Sequence, residues 1–373
     1  MIDLPFTSAN GSGLLVPSVS LDITSQIESG GLGGLADAAS SLLGGSDGQR
    51  DWVECLVSLR AHLCMAPGVD NVELVIGQTR HTPTAAVGDQ VSLGLGMNDS
   101  PQALFKGRVI GVEQRVDGTR RYRLGNASQL LASLRVNQSM TDMSVAEIIE
   151  NLAQQAGTSL QKRITGADDK LRQTVIMDAW NGWQHMAEQA RLRGFSLWVD
   201  EHDKVQLANQ LEQQTPVHTY TLGEDVIQMS LWDRADHSGA ITVTGGARDD
   251  SGYVLRKQPA PNQASGGDGL PQRFYRHGNL TAPGDLASAH MAASLAAHRA
   301  TTTSTLTVPG VPGLRPGAVI TLAGLPDGQQ SLLILAATHQ FTHLRGWQVE
   351  LTVSDAGNLP DAGALLGALG GLL

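Results

Sequence analysis

VGDQVSLGLG, Val87–Gly96, and PGAVITLAG, Pro316–Gly324, lie more than two hundred residues apart and say nearly the same thing. In each, a glycine (Gly88, Gly317) is followed at the third and fifth positions by apolar residues, Val91 and Leu93 in one copy, Ile320 and Leu322 in the other. A period of two after a glycine reads as a strand leaving a tight turn. If the two are copies of one unit, the segments C-terminal to them should match as well. GVEQRVDGTRRYRL and ATHQFTHLRGWQVEL are each expected to form a hairpin. The outgoing strand passes through Glu113 or His339, the turn holds Gly118 or Gly346, and the return strand passes through Leu124 or Leu351. Val91, Leu93 and Val112 are expected to face inward in the first unit, with Ile320, Leu322 and Thr338 or a neighbour in the matching places of the second. A slip of one residue would exchange the buried and exposed faces.

Working outward, VECLVSLRAHL puts Val53, Cys55, Val57, Leu59, Ala61 and Leu63 on one face of a long strand. Asp117-Gly118 is a strong two-residue hairpin signal. An antiparallel β domain is therefore expected over 1–125, interrupted by a Gly/Leu/Ala/Ser loop at 25–49. The period then changes. MSVAEIIENLAQQAG opens with a capping box, Ser144 and Glu147, and stops at Gly157; DAWNGWQHMAEQARLRG carries Trp183, Met186, Ala187 and Ala190 on one face and stops at Gly194. With the hairpin FSLWVDEHDKVQL these helices make a small α+β domain over 126–215. A second β domain is expected over 216–358, with an exposed polar insertion at 249–283 and an Ala-rich helix at 284–300 capped by Asp285. In its last strand Trp347, Val349, Leu351 and Val353 alternate with polar residues. Residues 359–373 form a Gly/Leu-rich tail.

The 373 residues suffice for two or three domains, and 41% hydrophobic residues with 43 glycines describe a globular, turn-rich chain. A net charge of -10 argues against tight nucleic-acid binding, because affinity for phosphate comes from Lys and Arg releasing counterions. The one basic cluster, Arg120, Arg121 and Arg123, reads as a solvated strand face. Cys55 and Cys64 read as buried free thiols. The N-terminus shows no secretory signal, and no apolar run reaches the length of a membrane span. No catalytic constellation emerges. His339 and His343 are four apart but sit on a strand and turn; His290 and His298 have no acidic or cysteine partner beside them; Asp168-Asp169 and Asp249-Asp250 sit in loop-like stretches. GGLGGL lacks the leading strand and the spacing of a phosphate-binding loop. Trp180 and Trp183 read as helix core. The expectation is a non-enzyme without metal or cofactor. The alternatives are a tail-associated cell-wall hydrolase, which needs paired carboxylates or a metal, and a carbohydrate-binding tail-tip protein, which needs exposed aromatics.

The order of the pieces, from LFKGRVIGVEQ through YRLGNASQLLASLRVNQSMTDMSVAEIIENLAQQAG and QTVIMDAWNGWQHMAEQARLRGFSLWVDEHDKVQL to VPGLRPGAVITLAG, LLILAATHQF and GWQVELTVS, resembles the late control protein D family. These are baseplate hub proteins of contractile-tailed phages, similar also to the N-terminal hub region of VgrG-type spike proteins. The resemblance covers about residues 50–358. It implies a mainly antiparallel α+β fold with two similar tube-type β-barrel domains and an inserted small α+β domain. It implies a homotrimer at the end of the tail tube, in which six similar domains match a six-fold tube protein to a three-fold central spike. Baseplate wedge and tape-measure proteins are further expected partners, and the spike is expected to be a separate chain. The particle, a virion or phage-tail-like body, would assemble in the bacterial cytoplasm, and its channel for DNA or other cargo suits an acidic protein. The Gly-rich loop and the tail are expected to order on docking, with Leu32, Leu35, Leu42, Leu43, Leu365, Leu366, Leu369 and Leu372 as contact residues.

Overall fold

Alternating apolar and polar residues need one face covered and the other wet, and this chain meets that need by building most of its strands into one sheet over one core. The structure, a computed structural model, describes residues 16–24, 51–78, 82–163, 171–176, 180–209, 215–232, 241–249, 252–258, 273–277 and 302–356, with positions 289, 293, 296 and 299 of one helix. The first group of strands is β1 (Pro17–Thr24), β2 (Leu56–Cys64), β3 (Asn71–Gly77), β4 (Gln90–Met97), β5 (Ser100–Gln114) and β6 (Thr119–Gly125). The last group is β17 (Ser304–Pro309), β18 (Val319–Leu325), β19 (Gly328–Thr342) and β20 (Gly346–Asp355), served by two short strands, β12 (Thr219–Thr221) and β13 (Gln228–Ser230).

Their order repeats. The first unit runs β1-β4-β5-β6-β3-β2, and the second runs β12-β18-β19-β20-β17-β13. The match extends to single hydrogen bonds. Gly88 N–H donates to Val109 O at 2.8 Å and Val109 N–H to Asp89 O at 2.9 Å; Gly317 N–H donates to Ile334 O at 3.0 Å and Ile334 N–H to Ala318 O at 2.9 Å. β5 is bulged between Val109 and Gly111, and β19 between Ile334 and Ala336. A glycine with positive φ closes each hairpin, Gly118 in the β5–β6 turn and Gly346 at the start of β20. One difference is direction: β1 runs antiparallel to β4, whereas β12 runs parallel to β18. The units share an edge, since β2 pairs antiparallel with β19 from Cys64↔Ala336 to Ser58↔Thr342. The result is one twelve-stranded sheet, and no closed barrel is found among the described residues. Val91, Leu93, Ile320 and Leu322 are all buried in one hydrophobic cluster contributed by both units.

Between the units lie α1 (Ala127–Ser133), β7 (Gln138–Met143), α2 (Val145–Gln155), β8 (Leu160–Arg163), β9 (Leu171–Ile176), α3 (Gly182–Leu192), β10 (Phe195–Val199) and β11 (Val205–Asn209). Both longer helices start with reciprocal capping boxes, Ser144 with Glu147 and Asn181 with Gln184, which satisfy orphan N–H groups at the first turn. Ile148, Ile149, Leu152, Trp183 and Met186 then build a second core, against which Ala289 and Ala293 of the Ala-rich helix pack.

Three expectations are corrected. Val57 is exposed, because a bulge between Leu56 and Ser58 turns it off the buried face. Val112 is exposed, because among the described residues only β6 pairs with its part of β5. Trp180 precedes α3 and is exposed rather than core. The insertion at 249–283 contains β15 (Gly252–Gln258) and β16 (Arg273–His277), which pair with β14 (Ile241–Asp249) in a three-stranded sheet. Backbone pairing does not require an apolar residue at every second position, so a polar composition concealed them.

Candidate functional site

A sheet exposes function at its edges and turns, where backbone groups and loop side chains are free to meet another chain. The two long hairpins end side by side. In the β5–β6 turn, Asp117 Oδ1 accepts from Thr119 N–H at 3.0 Å and from Thr119 Oγ1 at 2.7 Å. These bonds favour the ionised carboxylate and hold it below the usual aspartate range. In the β19–β20 turn, Thr342 Oγ1 accepts from Arg345 N–H at 3.0 Å. A cleft of about 760 Å³ separates the tips, lined by Val57, Gln78, Asp117, Thr342 and Leu344 among others. Val116 and Leu344, at the two tips, are fully exposed. They give the two tips an exposed apolar side chain each.

Beside it, two arginines of the basic cluster are already engaged. Arg121 Nε lies 2.7 Å from Glu73 Oε1, and Arg120 Nε donates to Gln114 Oε1 at 2.7 Å. The arginines therefore serve cross-strand pairing on a wet face.

The middle segment is clamped to both units. Ala66 N–H donates to Leu197 O and Trp183 Nε1 to Gly68 O at 2.6 Å. Asp70, fully buried, accepts from Cys64 N–H at 2.8 Å and from Asn126 Nδ2 at 2.7 Å, while its own N–H donates to Ser128 Oγ. It ties the β2–β3 connection to the first turn of α1. On the other side Arg315 pairs with Glu201, and the ring of Trp198 packs on Gly317, leaving no room for a Cβ there. The equivalent turn at Gly88 faces open space.

His339 and His343, four apart in sequence, are each bonded to other groups. His339 is buried. Its Nδ1 accepts from Trp347 Nε1–H at 3.2 Å, so its Nε2 carries the proton and donates to Leu314 O at 2.8 Å. His343 Nε2 meets Leu56 O at 2.9 Å. Among the described residues no three His, Cys, Asp or Glu side chains are grouped to hold a metal ion. Cys55 and Cys64 are buried free thiols. The expected contact residues Leu32, Leu35, Leu42, Leu43, Leu365, Leu366, Leu369 and Leu372 lie outside the described residues, as do His290, His298 and the Asp168-Asp169 pair.

Two buried groups oppose each other in pH. Burial pushes the Asp70 carboxyl up to about 7 against two hydrogen bonds that favour its anion, and burial pushes His339 down to about 4. For His339, the unfolded chain takes up a proton that the folded one refuses. Its contribution is complete above pH 6.5 and falls by about 3 kcal/mol as pH drops toward 4. For Asp70, the folded chain keeps a proton that the unfolded one releases, so stability falls by about 4 kcal/mol as pH rises from 3.8 to 7. The slopes nearly cancel between pH 4 and 6.5. Asp70→Asn should therefore unmask the histidine. Urea midpoints should rise with pH more steeply in the variant than in the parent across that window; equal slopes in both proteins would refute the assignment.

The family model described as the Alg8 N-terminal domain matches residues 81–340. Among curated proteins none matches the sequence. Solved structures do share the fold. A tail protein from Neisseria meningitidis MC58 is similar at TM-score 0.62 and 14% identity, covering 92% of this chain and 97% of that one. The 43 kDa tail protein of prophage MuSo2 from Shewanella oneidensis follows at 0.59 and 11%, covering 81% and 94%. The prophage tail protein gp18 from Listeria monocytogenes EGD-e gives 0.51 and 11%, covering 84% and 92%. At these identities the likeness is one of fold.

Proposed function

From the premise that the chain belongs to the Alg8 N-terminal domain family, and that its fold is that of phage tail proteins along almost its whole length, we infer that it is a structural protein of a tail, specifically the baseplate hub. One observation carries the reading: a six-strand unit occurs twice in one chain, in the same order, and the two copies are sewn edge to edge through β2 and β19. Three such chains present six similar units, which is what a joint between a three-fold spike and a six-fold tube requires. In this reading the chain is a homotrimer with a central spike and a tail tube protein as neighbours, and wedge and tape-measure proteins as further contacts. The likeness to the late control protein D family belongs to the same reading.

The division at residues 1–125, 126–215, 216–358 and 359–373 is part of the proposal, as are the leucines of 25–49 and 359–373 as docking contacts. The middle segment buttresses the sheet by holding the β2–β3 connection and the Gly317 turn. A net charge of -10 keeps a channel from gripping phosphate as cargo passes. No catalytic role is assigned to any residue.

Particles purified from producing cells and probed with antibody to this chain should carry it at the tube end. Cells lacking it should yield no tubes joined to a tip. Label distributed along the tube would defeat the hub reading. Cleavage of purified peptidoglycan would favour the hydrolase, and glycan binding the adhesin.

A further inference from the structure

The two units match in strand order and not in how their edges are used. β19 is covered along both sides: β20 takes one edge, while β18 and then β2 share the other. β5 has β6 on one edge and β4 on the other only as far as Arg108, with Val109 held by Asp89 and Gly88. Among the described residues no strand pairs with the rest of that edge, from Gly111 to Gln114.

Aligning the bulges equates Gly111–Gln114 with Ala336–His339, the stretch where β2 docks. The same alignment equates Val112 with Ala337. Ala337 is 0% exposed under β2; Val112, on the corresponding face beside Tyr122, is 39% exposed. Val112 is a core-type residue on an edge that no described strand covers.

The mirror image is found at the far end of the sheet. β2 pairs with β3 on one edge and β19 on the other, whereas among the described residues its counterpart β13 pairs with β17 alone. Ile227, Leu231 and Trp232 stand exposed around it. One chain thus offers a strand without a socket and a socket without a strand. Within the chain, the β2–β19 seam is the pattern for how they fit.

We propose that β13 of one copy adds as a strand to the open Gly111–Gln114 edge of β5 in the next copy, repeating between chains the seam that β2 and β19 make within one. The register comes from the equivalences: His339↔Ala61, Thr338↔His62 and Gln340↔Arg60 in the seam become Gln114↔Leu231, Glu113↔Trp232 and Arg115↔Ser230 between copies. The contact is head to tail, so it propagates around a ring instead of closing a two-fold pair. Main-chain hydrogen bonds supply the joint, and burial of Val112 and Leu231 supplies the apolar part. The pairing rests on the ring reading and adds which edges meet.

The test is a disulfide between singly substituted full-length chains. Arg115 and Ser230 lie on the face opposite the buried alternation, and directly opposite residues on antiparallel strands are within disulfide reach. Arg115→Cys mixed with Ser230→Cys should give a two-chain species on oxidation, and neither variant alone should. Glu113→Cys with Trp232→Cys is the second pair, used if either variant of the first melts below the parent. Sedimentation of the same mixtures is run alongside. A three-chain particle without the cross-link at both pairs would overturn the edge pairing and leave the ring reading standing. Cross-linking of either variant with itself would mean a two-fold contact and overturn the pairing. Single chains in every sample would bring down the pairing and the ring together.

Discussion

Trp347→Ala should cost about 3–5 kcal/mol, the range for emptying a large aromatic from a closed core. The indole is 3% exposed, and Phe341 lies directly across the hairpin from it. It also lies against Gly310, where a Cβ would collide with the ring, and Gly310 N–H donates to Trp347 O at 3.0 Å. The loss does not end with volume. Without the indole N–H, His339 Nδ1 becomes an unsatisfied acceptor in a dry site, which adds about 1–3 kcal/mol. Trp347→Phe keeps an aromatic ring while removing the donor and part of the volume. Urea unfolding should rank parent, Phe and Ala in that order, with the Phe variant losing the smaller share. An alanine variant as stable as the parent would mean that the second unit is not packed as described.

The second large effect comes from one change made at two equivalent places. Ala337→Asp puts a carboxylate into the shared core with no partner and should prevent folding, since an isolated buried charge costs several kcal/mol or more. Val112→Asp, at the matching position of β5, should leave the chain folded with an unfolding midpoint near the parent's, because the side chain already meets water. It should instead abolish association between copies by placing an unpaired charge at the seam. Circular dichroism melts and sedimentation distinguish the outcomes. If Val112→Asp associated like the parent, the exposed valine would have no role between chains.

Much of this architecture was legible from alternation and turn chemistry. The echo of Gly88 in Gly317 identified the two units, Asp117-Gly118 located a hairpin tip, and the Ser144–Glu147 capping box began a helix where the residues put it, because each of these signals acts over a few residues. Parity is where the reading broke. A bulge adds one residue and exchanges faces, so Val57 left the core although its sequence neighbours fit a regular strand. Val112 shows a further limit. It does lie on the inward face, and it is exposed because alternation reports which face of a strand is apolar and carries nothing about which edge finds a neighbour. The β2–β19 seam and the open edge of β5 could not have been read from either segment alone. Asp70 was missed for a related reason: an aspartate in a Gly-Val-Asp-Asn stretch looks like turn chemistry. Only the fold brings it against Cys64, Asn126 and Ser128, where its burial becomes visible.

Copy number is the quantity on which the ring stands. Native mass spectrometry of the full-length chain over a range of concentrations should find a species of three chains, with no stable two-chain form, since a head-to-tail contact between doubled units closes only when the ring is complete. A single chain at every concentration, or an even-numbered assembly built on a two-fold contact, would contradict it.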